Sequence, residues 1–214
     1  MCSSDLTRVY STVVTTLGFF AIVVFTGGLA LLMSVALGGS RSGLVSALGG
    51  QEQHPLTWAW LLALVASTSS LYLSEIVGLV PCSLCWYQRI AMYPLVVVLG
   101  VAMFRRDVGV WRYGLPLSVI GLVIAVYHVT IQWQPTLDVG TCATGAPCTG
   151  RYLAVFGFIS IPTMAGSVFL AVTALMLLLR KLESAAEEIS DLDPADDRAL
   201  DPASDAPVAA DPQT

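Results

Sequence analysis

The chain has 214 residues, 56% of them hydrophobic and only 12% charged, with a mean hydropathy of +0.76. That composition excludes an ordinary soluble domain and requires a membrane protein. The net charge of −5 comes from one end: after Leu182 stand ten acidic residues and one basic one, Arg198, against five acidic and nine basic before it, so nothing offers nucleic acid a basic patch.

A bilayer-spanning helix takes roughly 20 apolar residues, and five stretches qualify. Residues 1–12 are a short polar lead in which Cys2 is an incidental thiol. The first span, Val13–Leu37, is too long for a signal-peptide core and has no small-residue cleavage site after it, so it reads as a retained helix. Gly38–Gly50 is a Gly/Ser-rich connector. Pro55 suits a helix start, and His54 before it reads as a solvated loop residue, since no other His, Cys or acidic group is spaced with it for a metal. The second span runs Thr57–Leu79 and the third Trp86–Phe104, with Pro81 and Cys82–Cys85 in the tight hairpin between them. The fourth span, Gly114–Trp133, is followed by the loop 134–155, which holds Cys142 and Cys148. The fifth, Phe156–Leu179, stops at Arg180-Lys181. The remainder is rich in Asp, Ala and Pro without apolar periodicity, and disorder is expected there. The expected fold is an all-α integral membrane protein with five transmembrane helices, the first of them within 1–56, and an acidic tail at 182–214.

Basic residues set the expected orientation. Arg41, Arg105, Arg106, Arg112, Arg180 and Lys181 flank one face; Arg8, Arg89 and Arg151 flank the other. The positive-inside rule puts the first group and the tail in the cytoplasm. Both cysteine pairs then lie outside, where disulfides persist.

The chemistry centres on Cys82-Ser83-Leu84-Cys85, with Arg89 four residues after the second cysteine and so on the same helix face. A cation near a thiol favours the reactive thiolate. A second pair on a Gly/Thr/Pro loop of the same face allows thiol–disulfide exchange, in which a thiolate attacks a disulfide sulfur. A zinc site is the weaker reading, since such sites pair two Cys-x-x-Cys knuckles and five residues separate Cys142 from Cys148. No metal is expected. Arg89, a cation inside the membrane, is functional by default. Glu75, seven residues before Cys82 and therefore about 10 Å deeper, pairs with Arg89 or carries protons. His128 is a candidate hydrogen-bonding group or a satisfied interior histidine. Trp86, Tyr87, Trp133 and Tyr152 suit an interfacial aromatic belt.

The run Pro81-Cys82-Ser83-Leu84-Cys85-Trp86-Tyr87-Gln88-Arg89 resembles the signature of the DsbB family of disulfide-bond-formation proteins. Ile90-Ala91-Met92-Tyr93-Pro94-Leu95 resembles its BdbC-type branch. The likeness extends through Leu71–Glu75 and Phe156–Pro162, covering about residues 57–181, and implies a four-helix transmembrane bundle there, with one extra N-terminal transmembrane helix and the acidic tail outside it. It implies a membrane thiol oxidase, a protein-disulfide oxidoreductase that reoxidises a DsbA-type thioredoxin-like partner and passes electrons to a membrane quinone of ubiquinone or menaquinone type. By the resemblance, Cys85 faces the quinone and Cys82 exchanges with the loop; Cys142 is attacked by the partner and Cys148 exchanges with Cys82. Arg89 matches the quinone-site arginine, and His128 with Gln132 resembles a similarly spaced pair. The rival readings are a quinone reductase like vitamin K epoxide reductase, whose Cys-x-x-Cys follows its loop pair rather than preceding it, and a non-catalytic membrane subunit with structural disulfides.

Overall fold

The computed structural model describes residues 3–37, 53–138, 146–151, 155 and 159–192. Cys2, Cys142 and Tyr152 and the chain beyond Leu192 lie outside them. Five helices are long and apolar enough to cross a membrane: α1 (Ser3–Ala36), α2 (Gln53–Glu75), α3 (Ser83–Arg105), α4 (Trp111–Trp133) and α5 (Ile161–Leu192). The protein is thus an all-helical, multi-pass membrane protein.

Helices α2 to α5 form a closed ring in which α2 packs on α3, α3 on α4, α4 on α5 and α5 back on α2. Small residues set the close approaches, as expected where lipid removes the hydrophobic drive for helix association. Along the α4–α5 seam a Cβ on Gly114 would meet the Met176 sulfur at 2.8 Å, and one on Gly121 would overlap the Phe169 ring at 2.1 Å. Between them Thr173 donates to the Ser118 hydroxyl (3.0 Å), both side chains buried.

Helix α1 lies outside this ring, against α5. Its buried positions are Val14, Gly18, Ala21, Val24, Gly28, Leu31 and Val35, a three-four spacing that makes one helix face. Gly18 approaches Val155, Gly28 approaches Ala171, and Lys181 donates to the Val35 carbonyl. Those contacts advance in the same direction along both helices, so α1 and α5 run parallel.

Several helix boundaries differ from expectation. Helix α1 begins at Ser3, within the expected polar lead, and α5 continues to Leu192, into the stretch after Leu182 where disorder is expected from composition. Helix α2 ends at Glu75 rather than near Leu79, because Gly78 takes a left-handed conformation (φ 78°) that glycine adopts without steric cost. The turn closes with Leu79 N–H donating to the Leu73 carbonyl (3.0 Å). Helix α5 starts at Ile161 rather than Phe156: Val155 and Ile159 exchange backbone hydrogen bonds of 3.0 Å, and Pro162 then stands in the first helical turn, where its missing N–H costs nothing. His54 is exposed, as expected, but on the first turn of α2 rather than in a loop.

At the end of the bundle away from Cys82, Trp111 donates to Glu183, Arg112 pairs with Glu183 at 3.7 Å, and Arg180 stacks over the Trp111 ring at 5.1 Å.

Candidate functional site

Cys82 caps the N-terminus of α3. Its sulfur accepts from the Cys85 backbone N–H (3.4 Å), and its carbonyl accepts from Trp86 N–H (3.1 Å). The Cys-x-x-Cys spacing then brings Cys85 one turn on, with the two sulfurs 2.9 Å apart. Both are free thiols. Hydrogen bonding from the Cys85 thiol, above all, and from His128 holds the Cys82 thiol down to about 4, against the opposing effect of its burial. The positive end of the helix works in the same direction. In the reduced pair the thiolate charge is therefore favoured on Cys82.

His128, on α4 and 2% exposed, joins this pair to the loop. Its Nε2 lies 3.7 Å from the Cys82 sulfur and 3.2 Å from the Cys148 carbonyl oxygen. A carbonyl can only accept, so the proton sits on Nε2 and points at both. Nδ1 is buried without a partner. Cys148 is disulfide-bonded, with a partner outside the described residues, and packs in one buried cluster with Cys82, Leu84 and Ile131. The sequence placed His128 near the site but gave no sign that it bridges the two thiol systems; that depends on how the 146–151 segment folds back over α4.

Arg89 is 8% exposed. It donates from Nε to the Ser70 hydroxyl (3.0 Å) and from Nη2 to the Ser70 carbonyl (2.9 Å), and stacks over Trp86 at 5.2 Å. Helix α2 therefore supplies the arginine's partner, but through Ser70 rather than Glu75. Glu75 is the exposed last residue of α2, accepts from Ser74 (3.2 Å), and makes no ion pair with Arg89. The break at Gly78 is the reason: no continuous helix links Glu75 to Cys82, so the rise per residue that placed it deeper does not apply.

Cys82, Cys85, Arg89, His128 and Gln132 all line one cavity of about 140 Å³, and Glu75 does not. An apolar cavity of about 150 Å³ accepts a benzene-sized ring, so the space suits a single ring. Among the described residues, four side chains on its wall carry buried polar atoms without a partner: Gln88 Nε2, Tyr93 Oη, Gln132 Oε1 and His128 Nδ1. Gln132 is otherwise held by donating to the Gly150 carbonyl (3.4 Å). Such orphaned atoms are costly to bury; Gln88 and Tyr93 can donate while Gln132 Oε1 and His128 Nδ1 can only accept, so the set suits a ligand whose oxygens are carbonyls in one state and hydroxyls in another. Sequence reasoning missed Gln88 and Ser70. Gln88 was reachable, since it follows Cys85 at the i,i+3 spacing of a shared helix face; Ser70 was one hydroxyl in a Ser/Thr run.

The two thiol sulfurs and His128 Nε2 lie within 4.8 Å of one another. Two thiolates on one tetrahedral zinc would stand about 3.8 Å apart, given Zn–S bonds of about 2.3 Å. At 2.9 Å, and with His128 turned to a carbonyl, the arrangement suits a dithiol better than a metal.

Fold and site together define a helical membrane protein built around a buried dithiol, with a disulfide-bonded loop cysteine packed against it. The comparisons make this specific: the chain belongs to the family described as "Disulfide bond formation protein DsbB", which matches residues 52–179. "Probable disulfide formation protein C 2" of Bacillus anthracis is 49% identical over 127 residues, 59% of this chain and 91% of its own. "Disulfide bond formation protein C" of Bacillus subtilis (strain 168) is 46% identical over 123 residues, 57% of this chain and 89% of its own. "Probable disulfide formation protein" of Metapseudomonas resinovorans is 38% identical over 137 residues, 62% and 93% of the two chains. No solved structure gives a significant match. Membership makes this a membrane protein of disulfide-bond formation, a thiol oxidoreductase by class.

Proposed function

We propose that the protein reoxidises an extracytoplasmic DsbA-type dithiol protein and delivers the electrons to a membrane quinone. The single observation that carries this reading is the placement of His128 and the cavity: the Cys82–Cys85 pair is joined through His128 to Cys148, and all four residues line one ring-sized space whose wall carries polar atoms without a partner among the described residues.

In the reaction, a partner thiolate attacks the loop disulfide, which we take as Cys142–Cys148. The partner's second thiol resolves the mixed disulfide, leaving partner oxidised and both loop cysteines reduced. The Cys148 thiolate then attacks Cys82 of an oxidised Cys82–Cys85 pair, and Cys142 closes the loop disulfide again. The membrane pair is left as a dithiol. A quinone in the cavity takes up the two electrons and two protons that the dithiol gives up on closing. Each side chain has a task in this. Cys82 is the exchanging sulfur, and its neighbours stabilise the thiolate released from it when Cys142 closes the loop disulfide. His128 Nε2–H hydrogen-bonds a thiolate at Cys82 and anchors the Cys148 carbonyl, so that sulfur exchange occurs at fixed distance. Cys85, on the cavity wall, faces the acceptor. Arg89, held by Ser70, stabilises negative charge in a desolvated space; Gln88 Nε2 can donate to a quinone oxygen, and Gln132 Oε1 can accept from the hydroxyl of the quinol. By the positive-inside rule, the Arg105/Arg106/Arg112/Arg180 end is cytoplasmic and the thiols are outside.

The test is direct. Cys82→Ser and Cys85→Ser should each abolish quinone-dependent oxidation of a reduced thioredoxin-like protein while inserting and folding as wild type does. Retained turnover in either would remove the membrane pair from the pathway.

A further inference from the structure

We infer that α1 forms the wall for the quinone's apolar tail; this rests on the quinone reading above. A cavity inside a ring of four helices can touch a fifth, outer helix only through a seam between two ring members. Here the cavity wall includes Leu17, Phe20 and Ala21 of α1. Residues of α2 (Val65, Ala66) and α5 (Val168) share that wall, so the opening lies between α2 and α5, and α1 covers it. The polar groups cluster at Cys82, Arg89, His128 and Gln132, whereas the part reaching α1 is apolar. A ring with polar oxygens and a long apolar substituent fits that division: ring at the thiols, tail along Leu17 and Phe20.

Helix α1 is held firmly enough to act as a wall. A Cβ on Gly28 would meet the Ala171 backbone at 2.9 Å, so the helices touch at closest range, and Lys181 fastens the far end to Val35. The family match begins at residue 52, so α1 lies outside it and the wall is a feature of this chain's own N-terminal segment. Tail discrimination is therefore expected to be set by residues that family membership does not specify.

The experiment compares tailless and tetraprenyl forms of a naphthoquinone and of a dimethoxybenzoquinone, with dithiothreitol as electron donor and the full chain in lipid vesicles. The readout is the ratio of KM for tailed over tailless quinone. Leu17→Trp, which fills the wall, should raise that ratio at least about fivefold, within the range a hydrophobic pocket gives for small steric changes. Phe20→Ala, which adds no bulk and threatens the fold less, should raise it as well. Val23→Trp, on the lipid-facing side of α1 with Val23 66% exposed, should leave both the ratio and turnover as in wild type. A ratio unmoved by both Leu17→Trp and Phe20→Ala, or a wild-type KM indifferent to the tail, would overturn the assignment while leaving quinone reduction intact. A wild-type protein that reduces none of the four quinones would defeat the parent reading and this one with it.

Discussion

At the residue scale the site depends on the buried His128 and the half-buried Cys85, which share a duty. His128 and Cys85 both stabilise a Cys82 thiolate, with Cys85 the stronger. In Cys85→Ala the Cys82 thiol, followed by its ultraviolet thiolate absorbance, should titrate well above the value of about 4 reached with both partners present. Adding His128→Ala should move it higher again. The sign is fixed: each partner favours the charged form, so its loss raises the pKa and narrows the pH range in which Cys82 is reactive, from the acid side. An unchanged midpoint in the double variant would remove His128 from the thiol's environment. Arg89 gives a second test. Lysine cannot reproduce the fork that grips both the hydroxyl and the carbonyl of Ser70. Loss of one charge-assisted hydrogen bond costs about 1.5–3 kcal/mol, so Arg89→Lys should weaken apparent quinone affinity by about tenfold or more. Exchange between partner and loop should be nearly unaffected, and an unaltered quinone dependence would leave Arg89 as a tie between α2 and α3. The cysteines and Arg89 could be read from sequence because a Cys-x-x-Cys and an intramembrane cation are rare in apolar segments. Gln88 and Ser70 could not be assigned with the same ease: one sits beside a louder arginine, and the other is defined by a neighbouring helix.

At the element scale, apolar length announced all five helices, and the family resemblance implied the four-helix bundle with an added helix. What length could not supply was where helices stop. The α2 terminus turns on a single left-handed glycine, Gly78, and that one torsion moved Glu75 from an expected partner of Arg89 to an exposed helix end. Nor does hydropathy reveal which face of α1 packs, since its lipid and protein sides are both apolar; only the run of Gly and Ala at three-four spacing hints at it. The α4–α5 seam is the sharpest test of packing. A methyl at Gly121 would collide with three atoms of the Phe169 ring, the nearest at 2.1 Å, and that ring is fully buried. Overpacking of this kind costs typically about 1–3 kcal/mol. Gly121→Ala should therefore lower unfolding stability in detergent by that order, and because Phe169 lines the cavity, quinone affinity should fall too. A variant as stable as wild type would show that the seam opens more easily than the packing implies.

For the whole molecule, the antiparallel ring gathers the N-terminus of α3, the C-terminal part of α4 and the 146–151 segment at one end, and the arginine cluster with Glu183 at the other. Charge bias in the sequence proposes which end faces the cytoplasm. A membrane-impermeant thiol reagent applied to intact cells after mild reduction should label Cys142, Cys148 being buried; labelling of Cys142 only in opened cells would invert the orientation. The central claim concerns electrons rather than topology. Purified protein in lipid vesicles, supplied with a reduced thioredoxin-like dithiol and a quinone, should form one quinol for each disulfide made, and Cys85→Ser should form none. Dithiol oxidation that continues at full rate without quinone, or quinol formation that survives Cys85→Ser, would contradict it.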